Sequence, residues 1–122
     1  MKLTSEQIVQ NWERLLNVIE TEFTGERKDK LLSMYKDLEE RMCMAPASSF
    51  SHYHNCMPGG YVDHVLRVIK CADEVHALWT KMGADMSGYT YEELIFVALN
   101  HDIGKMGFPG EGGEIYQPND SE

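Results

Sequence analysis

The sequence predicts a single all-α domain, a bundle of about four to five helices. Three observations indicate this fold class: apolar residues recur at helical spacing, two capping-box patterns mark helix starts, and no segment alternates as a strand does. The 122 residues fit one domain. We divide them into an N-terminal helical pair (1–42), a core that carries the candidate site (51–106), and a tail rich in glycine, proline and acids (107–122).

The N-terminal pair begins with a capping box. Thr4, followed three residues later by Gln7, predicts the start of a helix over about residues 5–23, which Gly25 ends. A second helix is expected over about residues 26–42. Its outer face carries many charged residues and is interpreted as a solvated surface.

Residues 43–60 are expected to form a long loop that ends in Pro58-Gly59-Gly60. Loops of this length are often functional, and this one contains two histidines and a tyrosine. The helix that follows, over about residues 61–82, is apolar on more than one side. We therefore expect it to be the central helix of the bundle.

The last predicted helix starts at a second capping box, formed by Thr90 and Glu93. Its apolar run leads directly into His101-Asp102, and Gly104 is expected to break it. The doublet is therefore predicted to lie at the inner end of a buried helix. Coil is expected from there to the end of the chain.

Charge and cysteine content argue against several classes of partner and compartment. With 11 basic and 20 acidic residues the net charge is −9, which disfavours nonspecific binding to nucleic acid or to an anionic membrane. Cys43, Cys56 and Cys71 follow no regular spacing and are interpreted as reduced thiols. No signal-peptide run or membrane-length apolar stretch is present, so we expect a cytoplasmic protein.

Three residues are candidate metal ligands: His64 on the third predicted helix, and the doublet His101 and Asp102. A lone histidine on an apolar face is usually structural, but a buried carboxylate needs a partner or a metal. Imidazole and carboxylate ligands together suit Mn, Fe, Zn or Ni. The sequence therefore predicts one or two divalent transition-metal ions, whereas Asp63 and His76 are interpreted as structural.

Two motifs carry a family resemblance: Gly-Gly-x-x-x-His, ending at His64, and His-Asp-Ile-Gly-Lys over residues 101–105. Together they make residues 51–106 resemble the HD-domain metal-dependent phosphohydrolase superfamily. The resemblance implies that His64, His101 and Asp102 hold the metal. It also implies a water, activated by the metal, that attacks the phosphorus of a small phosphate-bearing substrate, for which we expect a nucleotide.

The resemblance assigns further roles and leaves one ligand missing. His54 matches an additional histidine that would bind a second metal or the substrate phosphate. Lys105 would act beside Asp102 at the catalytic centre by pairing with a phosphate oxygen or with Asp102 itself, although an exposed helix-end lysine would fit equally well. The family pattern ends with a later aspartate, but only Asp120, in the tail, follows the doublet. We interpret the bundle as incomplete at its C-terminus.

Three alternatives stay open at this point. The chain could be an HD-type di-iron oxygenase, or a catalytically incomplete module that binds metal or a partner. A structural zinc site from Cys43, His52, His54 and Cys56 is the third, although its spacing matches no closed zinc motif. An incomplete helical core would also expose apolar surface, so a homo-oligomer is expected.

Overall fold

The structure, a computed structural model, describes residues 2–47 and 57–106. Within these two stretches there are five α-helices, one 3₁₀ turn and no strand, so the predicted all-α bundle is confirmed. The predictions for His54, for the zinc arrangement that needs His52 and Cys56, and for the tail lie outside the described residues. In chain order the elements are α1 (Ser5–Glu22), α2 (Gly25–Asp37), α3 (Glu39–Met44), α4 (Gly60–Lys81), α5 (Tyr91–Asn100) and the 3₁₀ turn (Ile103–Met106).

Both predicted capping boxes are present. At the start of α1 the Gln7 amide donates to Thr4 Oγ1 over 3.1 Å, and the Thr4 amide donates to Gln7 Oε1 over 2.9 Å. Thr90 and Glu93 repeat the arrangement at the start of α5. Each box satisfies amides that a helix start would otherwise leave unpaired, which explains why these two boundaries could be predicted to the residue.

The predicted helix over residues 26–42 is wrong in one respect, because it is two helices. The chain leaves helical geometry at Leu38 (φ −95°, ψ 1°), which separates α2 from α3. The change of direction allows α3 to pack against α4, where the Tyr61 amide donates to the Ala45 carbonyl over 2.9 Å. Leucine is a good helix former, so no local signal marks this break and tertiary packing decides it.

One hydrophobic cluster holds the helices together. Its buried members come from all five α-helices and the 3₁₀ turn, which makes the described part of the chain one packed unit. Burial of large side chains in this cluster is the main stabilising term of the fold. The fully or nearly fully buried members are Trp12, Leu15, Ile19, Phe23, Leu31, Tyr35, Met42, Ala45, Tyr61, Val62, Val65, Ile69, Ile95, Ala98, Leu99 and Met106.

The expectation that α4 is central holds only for its first half. Tyr61, Val62 and Val65 are buried there, but the second half of the helix leaves large apolar side chains in contact with solvent. The physical reason is the length of α5. At the start of α5 the Tyr91 hydroxyl donates to Asp73 and the Tyr91 ring contacts His76, so α5 lies beside α4 only up to about this level.

Four large apolar side chains are exposed in the second half of α4 and at its C-cap, and we call them the open face: Val75, Leu78, Trp79 and Met82. Contiguous apolar surface favours association, so we predict reversible self-association that rises with protein concentration. Light scattering after size exclusion measures it, and the variant Leu78→Lys/Trp79→Lys should shift the population toward monomer. A wild-type protein that remains monomeric at every concentration would contradict this prediction.

None of the described helices combines the length and the apolar character that crossing a membrane requires. Cys43 and Cys71 are free thiols. Burial, followed by the negative charge of Glu39, raises the pKa of the Cys43 thiol to about 11. The Cys43 side chain therefore stays protonated near neutral pH and packs as a small apolar group at the edge of the core.

Candidate metal centre

The start of α4 is set by a close approach between two segments. Gly59 adopts a left-handed conformation (φ +81°), and a Cβ at this position would lie 2.7 Å from Ile8 Cγ1 of α1. Only glycine allows both the backbone angle and the contact. The glycine pair thus anchors the first turn of α4 on α1, which places His64 one turn further along a well-packed stretch of helix.

The sequence predicted that the doublet lies at the inner end of the last helix. In the structure it lies immediately after α5. α5 ends at Asn100, His101 is its C-cap residue, and the chain passes through Asp102 into the 3₁₀ turn. The Lys105 amide donates to the Asp102 carbonyl over 2.9 Å and closes this turn. Successive residues on a regular helix point about 100° apart. The regular α-helix ends before the doublet, and the two neighbouring side chains face the same point.

His64, His101 and Asp102 converge in space as the sequence predicted. Each offers one ligand atom, and these atoms all lie within 4.8 Å of one another. Asp102 Oδ2 is 3.2 Å from His64 Nε2 and 3.0 Å from His101 Nε2. The two imidazole rings are 5.5 Å apart between centroids and tilted by 53°. A contact across 38 positions of the sequence therefore joins α4 to the end of α5.

A backbone carbonyl decides which nitrogen of a neutral His101 ring carries the proton. Its Nδ1 lies 2.8 Å from the Ala98 carbonyl oxygen, which can only accept, so Nδ1 carries a proton and donates. In a neutral ring this leaves a lone pair on Nε2, which faces Asp102 Oδ2 at 3.0 Å. Two lone pairs at this distance repel each other. A positive charge between them, either a proton or a metal ion, relieves the repulsion.

The spacing and chemistry of this donor set fit a transition-metal ion. Metal–nitrogen and metal–oxygen bonds of about 2.0–2.2 Å place neighbouring ligand atoms roughly 3–3.5 Å apart. The two contacts to Asp102 Oδ2 already fall in this range, and the third pair, one nitrogen from each histidine, lies within 4.8 Å. A backbone carbonyl that orients a ligand histidine through its other nitrogen is also typical of metal sites.

Lys105 lies beside this cluster. Its Nζ is 3.6 Å from Asp102 Oδ2 and donates to the Ala47 carbonyl over 3.2 Å. Of the two sequence interpretations, pairing with Asp102 is therefore the one the geometry matches, and the lysine also links the 3₁₀ turn to the end of the segment after α3. Its side chain is 38% exposed, so the ammonium group can still reach a solvent-borne anion.

A buried tyrosine hydroxyl holds the two residues that precede the doublet, and the sequence analysis did not predict this contact. The Tyr35 hydroxyl lies 2.8 Å from Asn100 Oδ1 and 3.2 Å from the Leu99 carbonyl, which fixes the end of α5 against α2. Burial, followed by the nearby Tyr61, raises the pKa of Tyr35 far above its usual range. Both tyrosines belong to the buried core cluster, and no sequence signal distinguishes them from other core aromatic residues.

Two other predicted residues lie outside the cluster, as expected. Asp63 pairs with Arg67 one turn further along α4, with Arg67 Nε 2.9 Å from the carboxylate. His76 contacts Tyr89 and Tyr91 in the region where α4 and α5 begin to pack. Neither residue belongs to the set of converging ligand atoms, so both serve as comparison positions for the cluster.

Comparisons of the chain with protein-family models, with curated protein sequences and with solved structures gave no significant match. Functional inference therefore rests on the local geometry and on the two sequence motifs.

Proposed function

We propose that this protein is a metal-dependent phosphohydrolase that acts on a small nucleotide or a related phosphate ester. The observation that carries the proposal is the convergence of His64 Nε2, His101 Nε2 and Asp102 Oδ2 on one point. The residues that converge are the ones that the Gly-Gly-x-x-x-His and His-Asp-Ile-Gly-Lys motifs associate with metal binding in HD-domain hydrolases. Geometry and motif therefore support the same assignment independently.

The number and exposure of the ligands favour a catalytic site over a structural one. Structural transition-metal sites are closed by four protein ligands, whereas catalytic sites keep a position open for water or substrate. The described residues supply three converging ligands. The side chains of His64 and His101 are 18% and 31% exposed, so a small substrate can approach them.

Each residue has a distinct role in the proposed reaction. A divalent ion in this site supplies Lewis acidity toward a phosphoryl oxygen and lowers the pKa of water bound to it. His64, His101 and Asp102 would hold the ion, and the Ala98 carbonyl, which accepts from His101 Nδ1, would orient the ring with Nε2 toward it. Lys105 offers a positive charge to a phosphate oxygen at the edge of the site.

An iron-dependent oxygenase is the second candidate, because two histidines and one carboxylate form the ligand set of many non-haem Fe(II) oxygenases. The observed donor set alone fits both chemistries. Lys105 favours hydrolysis, since a cation beside the ligands suits an anionic phosphate ester. Oxygen consumption by the Fe(II)-loaded protein, in the absence of phosphate release, would select the oxygenase.

The decisive experiment is a phosphate-release assay on the full chain. Protein stripped with a chelator and reloaded with Mn, Fe, Ni or Zn is assayed with a panel of nucleotides and simple phosphate esters. His101→Ala should abolish both metal retention and activity, whereas His76→Ala removes a histidine outside the cluster and should retain both. A wild-type chain that binds metal but releases no phosphate from any ester would refute the hydrolase.

Replacement of Lys105 by methionine tests its role in substrate binding. We expect kcat/KM to fall about 10–100-fold, because a hydrogen bond to a charged group is worth roughly 1.5–3 kcal/mol. Metal content should remain at the wild-type level, since the lysine is not a ligand. The matched control is Lys70→Met, which removes an exposed lysine of α4 that is not part of the cluster. An unchanged kcat/KM for Lys105→Met would exclude the proposed contact with phosphate.

A further inference from the structure

Tyr61 carries a buried hydroxyl group that has no partner. The residue is fully buried in the first turn of α4, and its hydroxyl oxygen makes no hydrogen bond in the described part of the chain. A buried polar group without a partner destabilises a fold, and phenylalanine would fill the same space without this cost. The cost of this unpaired hydroxyl would be offset if the group gained a hydrogen bond when the protein binds a ligand.

A matching gap exists on Asp102. All of the contacts that the described residues make with this carboxylate fall on Oδ2, which receives His64, His101 and Lys105. No hydrogen bond or ion pair from the described residues falls on Oδ1. A carboxylate that binds a metal through one oxygen normally receives a hydrogen bond on the other, and such outer partners orient the ligand.

The two groups lie in the same part of the fold. Tyr61 precedes His64 by three residues, so both lie on the same face of α4, and His64 Nε2 is 3.2 Å from the Asp102 carboxylate. Burial raises the pKa of Tyr61 far above its usual range, and the negative charge of Asp102 raises it further. The hydroxyl is thus within electrostatic reach of this carboxylate.

We propose that Tyr61 is a positioning residue of the metal centre, whose hydroxyl donates to Asp102 Oδ1 when Oδ2 holds the ion. The inference rests on the metal site of the proposed function and extends it by one residue. In the protein without metal, Oδ2 is drawn toward two imidazoles and an ammonium group, and the Tyr61 hydroxyl stays unpaired. Pairing is gained only with the ion, so the hydroxyl contributes to metal affinity and not to the stability of the metal-free fold.

Tyr35 offers a matched comparison, because it is also fully buried but its hydroxyl is already paired with Asn100 and the Leu99 carbonyl. The same Tyr→Phe change at the two positions should therefore have opposite effects. Tyr61→Phe is expected to lower metal affinity about 10–100-fold, the usual cost of losing an outer partner. Its metal-free form should be as stable as the wild type or more stable. Tyr35→Phe should destabilise the metal-free protein and change metal affinity far less.

The experiment combines competition titration of Zn²⁺ or Mn²⁺ against a chelating dye with urea denaturation of the metal-free full-length variants. Loss of affinity in Tyr61→Phe without loss of metal-free stability supports the inference. Wild-type affinity in Tyr61→Phe overturns it and leaves the proposed function standing, because the wild type still binds. A wild type that binds neither ion overturns both. Loss of metal-free stability in Tyr61→Phe would show that the hydroxyl is paired within the fold, which also overturns the inference.

Discussion

Asp102→Asn is expected to lower the affinity of the protein for divalent metal by more than about 100-fold, beyond the 10–100-fold cost of losing an outer partner. Asparagine keeps the shape of the side chain but removes the negative charge. Asp102 Oδ2 lies within 3.2 Å of both imidazoles, so the substitution affects two of the three pairs of ligand atoms. Metal content after dialysis, measured by mass spectrometry, and competition titration give the result.

Asp63→Asn is the matched control for that experiment. Asp63 precedes the ligand His64, and its side chain is 18% exposed, close to the 20% of Asp102, but it pairs with Arg67 and takes no part in the cluster. We expect its metal affinity to equal that of the wild type. If the Asp102→Asn and wild-type proteins retain metal equally, the proposed metal site is refuted, and the proposed phosphohydrolase activity is refuted with it.

Gly59→Ala is expected to destabilise the fold by about 2–5 kcal/mol. Left-handed backbone geometry costs a residue with a Cβ about 1–2 kcal/mol, and overpacking costs about 1–3 kcal/mol. Both terms apply at Gly59, where φ is +81° and the new Cβ would lie 2.7 Å from Ile8 Cγ1 and 3.3 Å from Leu3 Cδ1. Urea denaturation monitored by circular dichroism measures the change in the free energy of unfolding.

Gly25→Ala separates the two terms. Gly25 has a similar backbone angle (φ +62°), but a Cβ there would meet nothing within 4 Å. Its expected cost is therefore the conformational term alone, about 1–2 kcal/mol. Truncation of the contacting side chain in Ile8→Ala/Gly59→Ala should restore the steric part, so that the two substitutions are non-additive. Equal costs for Gly25→Ala and Gly59→Ala would show that the approach to Ile8 is not tight.

The helix starts were predictable because their signals are local. The two partners of a capping box lie only three residues apart. The starts of α1 and α5 can therefore be predicted from Thr4 with Gln7 and from Thr90 with Glu93 alone. Leu38 shows the limit of such signals. It is a good helix former inside a run of good helix formers, yet the chain bends there because α3 packs against α4.

The candidate site also has features that the sequence predicted and features that it could not predict. The residue types and motifs in the sequence named His64, His101 and Asp102, because imidazole and carboxylate are the groups that bind transition metals. Spacing along the chain could not show whether the doublet converges on one ion or two. In the structure α5 ends at Asn100, a 3₁₀ turn follows at Ile103, and both side chains of the doublet face one point.

By itself, the sequence of this protein determined the all-α class and the capped helix starts, since hydrogen bonds and apolar periodicity act over a few positions. Its residue types and motifs also named the three candidate ligand residues, which the structure brings together. Only the tertiary structure decided that α4 is half exposed, that Lys105 pairs with Asp102, and that the Tyr61 hydroxyl is buried without a partner. These features depend on where one helix ends against another. That position is set by packing across tens of residues and leaves no local signal in the chain.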